Sequence, residues 1–352
     1  MNIISNKYID DFSEGFLRGY MLSRNIKKNG NSISDDVEWQ IPKDWNLPDP
    51  KENQITAYVT QGVYVVYTNR NLKDGETLIV DWGDGSVDVL STEYMPGGYI
   101  EHTYIQNGTY TIIITSNNFG EGYGDGINAI VVKSKASNAG AVQGLKYGYN
   151  MCSMNAQEGK LMYLKADRYF QHPKIDAEYL NGLTQLIRVD FNHKRTDYSR
   201  PIFLNNCPAL QIIKGLDGLT NFNMTMHDNS MLQKINLPNC VNMAERTVFA
   251  NCTSLKEINM PKLETINTDS SVFYNCTSLV NVNLPSLRST SDKSAYFPYC
   301  TNLRHFNAPL LTNITSSEFY NCYMLKELIL VDGCNFNGNT FGTCYNLDPK
   351  PQ

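Results

Sequence analysis

The chain contains no apolar run of the roughly 18 residues that a bilayer-spanning helix needs, so no membrane insertion is expected. Charge is also scarce. Asp, Glu, Lys and Arg make up 18% of 352 residues, the net charge is −5, and no Lys/Arg cluster stands out. A protein that grips phosphate backbones needs a basic face, so nucleic acid is not an expected partner. The sequence has no P-loop, G-x-S-x-G, H-E-x-x-H or dinucleotide-binding fingerprint. Its five histidines (102, 172, 193, 227 and 305) are scattered through different units. Asp10-Asp11 and Asp35-Asp36 are paired carboxylates. Paired acids in a cleft can hydrolyse glycosides, but these lie on flexible or amphipathic segments without a partner site. The expectation is a non-enzymatic chain with no cofactor and no metal. The opening "MNIISNKYIDDFSEGF" lacks a basic segment ahead of an apolar core. This points away from the ordinary secretory route and towards reduced cysteines.

What is present points to β-structure. Hydrophobic residues make up 41%, and Gly, Asn, Tyr and Ser are plentiful. Together with low charge, this suits polar-surfaced sheets. A single core rarely serves more than about 250–300 residues, so two or three domains are expected.

"FANCTSLKEINMPKL" at 249–263 is followed by "FYNCTSLVNVNLPSL" at 273–287. A leucine three residues after the cysteine position recurs at Leu186, Leu210, Leu232, Leu255, Leu279, Leu303, Leu325 and Leu347, with Leu161 as a weaker first copy. The steps are 22–25 residues, a solenoid period. Alternating apolar residues follow, as in Leu255, Ile258, Met260 and Leu279, Val282, Leu284, which predicts one short strand per repeat. Proline then stops the strand, at Pro238, Pro261, Pro285 and Pro309. A large apolar residue precedes the cysteine position by three, at Met226, Phe249, Phe273, Phe297, Phe319 and Phe341.

The cysteine column is Cys207, Cys252, Cys276, Cys300, Cys322 and Cys344, with Asn229 in the gap. Equivalent positions stack about 4.8 Å apart along a solenoid. Metal ligands must instead converge on one point, and parallel side chains bridge poorly as disulfides. Buried structural thiols are therefore expected. This phrase resembles the BspA-like leucine-rich repeats over roughly residues 180–347, and the resemblance implies a repeat solenoid that binds rather than catalyses.

Residues 54–133 alternate differently, as in "ITAYVTQGVYVVYT" and "TYTIIIT". Trp82-Gly83-Asp84-Gly85, His102-Thr103-Tyr104 and Gly108-Thr109-Tyr110-Thr111-Ile112 resemble the PKD domain, which implies an immunoglobulin-like sandwich acting as a spacer. Asp81, Asp84 and Asp88 read as turn formers and surface charge rather than a calcium loop. The expected fold is mainly β in four parts. These are an N-terminal helical or extended arm (1–50), a PKD-like sandwich (51–133), a linker and cap (134–160) and a leucine-rich-repeat solenoid (161–352).

Tyr8, Phe12, Phe16 and Tyr20 make an aromatic stripe that cannot bury itself. "VEWQIPKDWNLPDP" then reads as a strap anchored by Trp39 and Trp45, lying on the sandwich or on another subunit. The arm implies assembly with other proteins or a homo-oligomer. The outward strand positions are the candidate receptor-binding residues: Gln233, Lys234, Asn236, Lys256, Glu257, Asn259, Asn281, Asn283, Arg304, His305, Asn307, Lys326 and Glu327. Their amides suit sugars or polar peptides, or else bond to one another along a solvated ladder.

Two readings follow. In the first, the chain is a structural protein of a phage or phage-tail-like particle. Its arm docks to other virion proteins, its solenoid meets a host-surface glycan or protein, and it assembles in the host cytoplasm. In the second, it is a bacterial cell-surface adhesin. Such an adhesin is expected to carry a signal peptide and an anchoring segment, and "GTCYNLDPKPQ" offers no anchor.

Overall fold

The computed structural model describes residues 39–51, 53–68, 72–91, 99–117, 130–135, 141–147, 160–166, 180–191, 202–243, 248–268, 271–290, 295–314, 318–336 and 340–348. Among them the regular elements are strands throughout. The helical reading of Tyr8, Phe12, Phe16 and Tyr20 lies outside the described residues, as do both acidic pairs and Cys152. The chain divides into Met1–Asn46 and Leu47–Gln352. Within the first unit, Trp39 and Trp45 pack on each other edge to face with ring centroids 6.3 Å apart.

The second unit begins with β1 (Gln54–Thr60), β2 (Val63–Thr68), β3 (Leu78–Asp81), β4 (Val87–Leu90), β5 (Tyr99–Thr103), β6 (Thr109–Ser116), β7 (Ile130–Ser134) and β8 (Val142–Tyr147). One sheet runs β8-β1-β6-β3-β4 and the other β5-β2-β7. Alternate residues of both, including Ile55, Ala57 and Val59 on β1 and Tyr64 and Val66 on β2, enter a common core. Period-2 side chains on facing sheets make a β-sandwich. At the WGDG turn the Trp82 N–H donates to Ser86 O (3.0 Å), while Gly83 and Gly85 adopt φ of 79° and 95°. A Cβ on Gly83 would lie 2.4 Å from Thr111 O, so only glycine fits there.

The sandwich does not end at a linker. Composition alone makes 134–160 read as one, yet β8 lies inside this stretch and pairs antiparallel with β1 on one side. On its other side it pairs in parallel with β9 (Tyr163–Ala166), which begins a run through β10 (Arg188–Phe191) and β12 (Ile212–Lys214). The short β11 (Ile202–Phe203) pairs separately with Met224–Thr225. One eight-stranded sheet therefore carries the chain from sandwich into solenoid without a break in hydrogen bonding. A strap from the second unit secures this joint. Leu47 is buried, and Thr56 Oγ1 donates to Pro48 O (2.9 Å). The buried Lys146 ammonium donates to Leu47 O (2.8 Å) and Asp49 Oδ1 (3.2 Å), and Lys165 also donates to Asp49 Oδ1 (2.9 Å).

The solenoid repeats as the leucine column requires, with Leu186 through Leu347 all buried. Its strands Lys234–Asn236 and Glu257–Asn259 pair in parallel, as do Asn281–Asn283, His305–Ala308 and Glu327–Leu330. The coils add a second, two-residue strand, after the proline at Thr265–Ile266 and Ser289–Thr290 and without one at Asn221–Phe222 and Asn335–Phe336. Two residues are too few for periodicity to register. Inside, Phe222, Phe249, Phe273, Phe297, Phe319 and Phe341 form one nearly parallel stack with centroid steps of 5.5, 5.3, 5.2, 6.1 and 5.7 Å.

Candidate binding surface

The interior columns turn their polar capacity inward. Each thiol donates to a backbone carbonyl of the coil before it. Cys252 Sγ reaches Met226 O at 3.2 Å, Cys276 reaches Phe249 O at 3.3 Å, Cys300 reaches Phe273 O at 3.1 Å and Cys322 reaches Phe297 O at 3.1 Å. Asn229 supplies the same link with its amide, donating to Leu204 O and Met226 O (2.8 Å each) and accepting from Cys207 N–H (3.0 Å). Burial pushes the thiol of Cys207 up to about 11 and those of Cys252 and Cys300 up to about 12. A thiol this far from ionising is a poor nucleophile and a poor metal ligand. These cysteines are buried and unbridged.

The residue before the cysteine position, in every coil from Cys207 to Cys322, forms a column that the sequence pattern did not single out. Asn206, Asp228, Asn251, Asn275, Tyr299 and Asn321 all take positive φ, between 55° and 62°. Asn and Asp tolerate this left-handed backbone better than other side chains. An Asn-Cys or Asp-Asn pair at the solenoid period is the signal that could have revealed it. Asn251 donates to Asp228 (2.7 Å) and Asn275 to Asn251 (3.0 Å), a second amide ladder.

The strand face assembles the predicted receptor-binding residues in columns. In one, Asn236 donates to Asp217 (2.8 Å), Asn259 to Asn236 (2.6 Å) and Asn307 to Asn283 (2.8 Å). Asn236, Asn259 and Asn307 are half-buried. These amides already spend part of their capacity on each other. In the next column, Lys234 pairs with Glu257 and His305 with Glu327, each at 2.5 Å, with Asn281 exposed between them. The third column, one residue ahead of each strand, is Gln233, Lys256, Val280, Arg304 and Lys326, all exposed except the half-buried Val280. Among the described residues the three cations have no acidic partner within ion-pair distance. The face thus offers unspent cations on either side of Val280, beside two largely self-paired columns. The regular ladder is broken between Asn259 and Asn281, where no strand pairing joins the two short sheets.

Elsewhere the candidate groups serve the fold. Asp81 Oδ1 accepts from Gly83 N–H (2.9 Å), Asp84 Oδ1 from Ser86 N–H (3.0 Å), and Asp88 Oδ2 from the Trp82 indole (2.7 Å). His102 stacks on the Trp82 ring (centroids 4.7 Å) and bonds Asp84 Oδ2 at 2.8 Å. Burial works against the Asp84 carboxylate, but the Ser86 amide and the His102 ring outweigh it and hold its carboxyl below the usual range. Among the described residues there is no cluster of three His, Cys, Asp or Glu able to hold a metal ion, and no helix long and apolar enough to cross a membrane.

The family profile described as "BspA type Leucine rich repeat region" matches in six copies over residues 171–270 and 220–348, together just over half of the chain. Comparison with curated proteins gives no match. Among solved structures, a leucine-rich-repeat protein of T. pallidum is similar at 18% identity. That alignment covers 63% of this chain and 85% of the other, with a TM-score of 0.33.

Proposed function

Because this chain belongs to the BspA-type leucine-rich-repeat family, we propose that it is a non-enzymatic binding protein. Its solenoid strand face recognises a glycan or protein on another surface. The observation that carries this reading is the exposed column Gln233, Lys256, Arg304 and Lys326. Cations held without acidic partners beside the two short sheets favour an acidic group on the ligand and speed its capture. The neighbouring amides supply donors and acceptors for the rest of it. The sandwich acts as a PKD-like spacer, and the arm with Tyr8, Phe12, Phe16 and Tyr20 docks to other proteins or to further copies of the chain.

Two settings suit this activity, the surface of a bacterium and a phage-tail-like particle. The surface setting follows from the usual role of the family, and nothing in the geometry or the similar proteins favours the particle. The activity is tested by measuring saturable adhesion of the purified chain to intact bacterial and epithelial cells, with the triple variant K256A/R304A/K326A in parallel. The expected result is saturable adhesion, weakened roughly tenfold or more in the variant. Absence of saturable adhesion, or adhesion unchanged by the triple substitution, contradicts the reading. The settings are separated by the solution mass of the chain with and without residues 1–50. A defined oligomer lost on truncation favours the particle, and a monomer in both favours the cell surface.

A further inference from the structure

Outside the phenylalanine stack, the turns of the last four coils carry a second set of aromatic rings, at Tyr274, Tyr299, Tyr320 with Tyr323, and Tyr345. Tyr274 and Tyr299 lie with ring centroids 5.1 Å apart and tilted by 54°, Tyr299 and Tyr320 lie 5.4 Å apart edge to face, and Tyr323 and Tyr345 stack on each other at 5.7 Å with rings within 2° of parallel. Tyr274, Tyr320, Tyr323 and Tyr345 are exposed by 37%, 43%, 37% and 71%. Water-facing tyrosines at successive coils are costly to leave idle, since Tyr is a residue that recognition surfaces favour.

The middle ring is held in place against the backbone's own preference. In the coils at Phe273 and Phe319 a tyrosine follows the stacked phenylalanine directly. In the coil between them Pro298 takes that place, and the tyrosine moves one residue on to 299. There it enters the left-handed column with φ 62°, where the other coils place Asn or Asp. A bulky side chain in this conformation is strained, and such outliers cluster where function requires them. The ring row survives at that coil because the strain is tolerated.

The chemistry around the row is uniform. The phrases at 249–255, 273–279, 297–303, 319–325 and 341–347 contain no charged residue. Exposed Asn302 and Asn346 are fixed by donating to Thr277 O and Tyr323 O of the preceding coils, at 2.7 Å each. Asn302 keeps a second N–H, Asn346 Nδ2 also reaches Met324 Sδ at 3.6 Å, and both amide oxygens remain as acceptors.

We propose that this tyrosine edge is a platform for a neutral polysaccharide, separate from the basic strand face. The C–H faces of successive sugars lie on the rings, and their hydroxyls meet the amides of Asn302 and Asn346. The row repeats with the coil, so it fits a ligand that repeats too, whereas a protein epitope is aperiodic and carries charge. Neutrality of the edge separates it from the strand face and from acidic polymers.

The test is affinity electrophoresis of the full chain in gels containing a soluble β-glucan, a mannan or a galactomannan, with heparin and polygalacturonate as acidic controls. A proline-rich peptide is titrated separately. Three variants are compared: Y345A, Y299N and K326A. Y299N keeps the fold by restoring the residue that the column prefers, and it is expected to melt higher than the wild type. The platform predicts retardation by at least one neutral polymer, roughly tenfold weaker in Y345A and Y299N and unchanged in K326A. Four outcomes overturn it: no retardation in any neutral gel, retardation indifferent to both tyrosine substitutions, retardation confined to the acidic polymers, or binding of the proline-rich peptide alone.

Discussion

A single residue, Asn229, shows how the solenoid interior works. Where the other coils use a thiol to reach the carbonyl of the coil before, this coil uses an amide that makes three buried hydrogen bonds. Truncating it leaves the Leu204 carbonyl and the Cys207 N–H buried without this partner, while the Met226 carbonyl keeps only the weaker Cys252 thiol, and each such orphan costs about 1–3 kcal/mol. N229A is therefore expected to lose about 3 kcal/mol or more, and N229C to lose less because the thiol restores one link. Urea denaturation of both variants checks this ordering. Equal losses would show that the column is filler rather than a bonded ladder. The cysteine spacing announced the column and its stacking. It could not announce the left-handed residue beside it, because positive φ at Tyr299 is a property of the backbone and leaves no periodic apolar signal.

Among the elements, the phenylalanine stack runs from coil to coil through the solenoid interior. Phe273 lies fully buried between Phe249 and Phe297, with ring centroids 5.3 and 5.2 Å away. F273A removes the ring and both stacking partners at once, with an expected cost of about 3–5 kcal/mol. In a solenoid each coil touches only its neighbours. Hydrogen exchange should therefore rise in coils 249–300 of the variant while β1 and β6 of the sandwich keep their protection. Loss of protection spread evenly through the chain would contradict that nearest-neighbour picture. Much of this level could be read from sequence, since leucine, aromatic and proline columns fix where each coil begins and ends. Two features could not. β8 hides in a stretch rich in Gly, Ala and Ser, and its assignment depends on pairing with β1 and β9 rather than on its own pattern. The strand-face amides alternate correctly, but only coordinates show that Asn259 and Asn307 spend donors on their neighbours.

For the whole molecule, the joint between sandwich and solenoid matters most. Asp49 ties Lys146 and Lys165 together across that joint. The hydrogen bond from Lys165 is the main cause that holds its carboxyl below the ordinary value of 3.8. A carboxyl lowered in the folded state contributes stability above its unfolded pKa, and that contribution is lost as pH falls through the folded value. D49N should melt below the wild type at pH 7. The gap should close as pH drops from about 3.8 downwards, where Asp84 and Asp228, lowered in the same direction, also lose their contributions. Melting curves from pH 7 to pH 2 test this, and a gap that stays constant would place the effect of Asp49 in packing rather than charge.

The inner columns hold the coil, and the proposed binding belongs to the outer ones. The most direct measurement is an alanine scan of Gln233, Lys256, Asn281, Arg304 and Lys326, with melting temperature and cell adhesion read on the same samples. These exposed side chains have little to lose in stability, within about 0.5 kcal/mol each. The account predicts adhesion that falls at several positions while melting stays flat. Adhesion that is unchanged throughout, or that falls only where the melting temperature falls with it, would contradict the account.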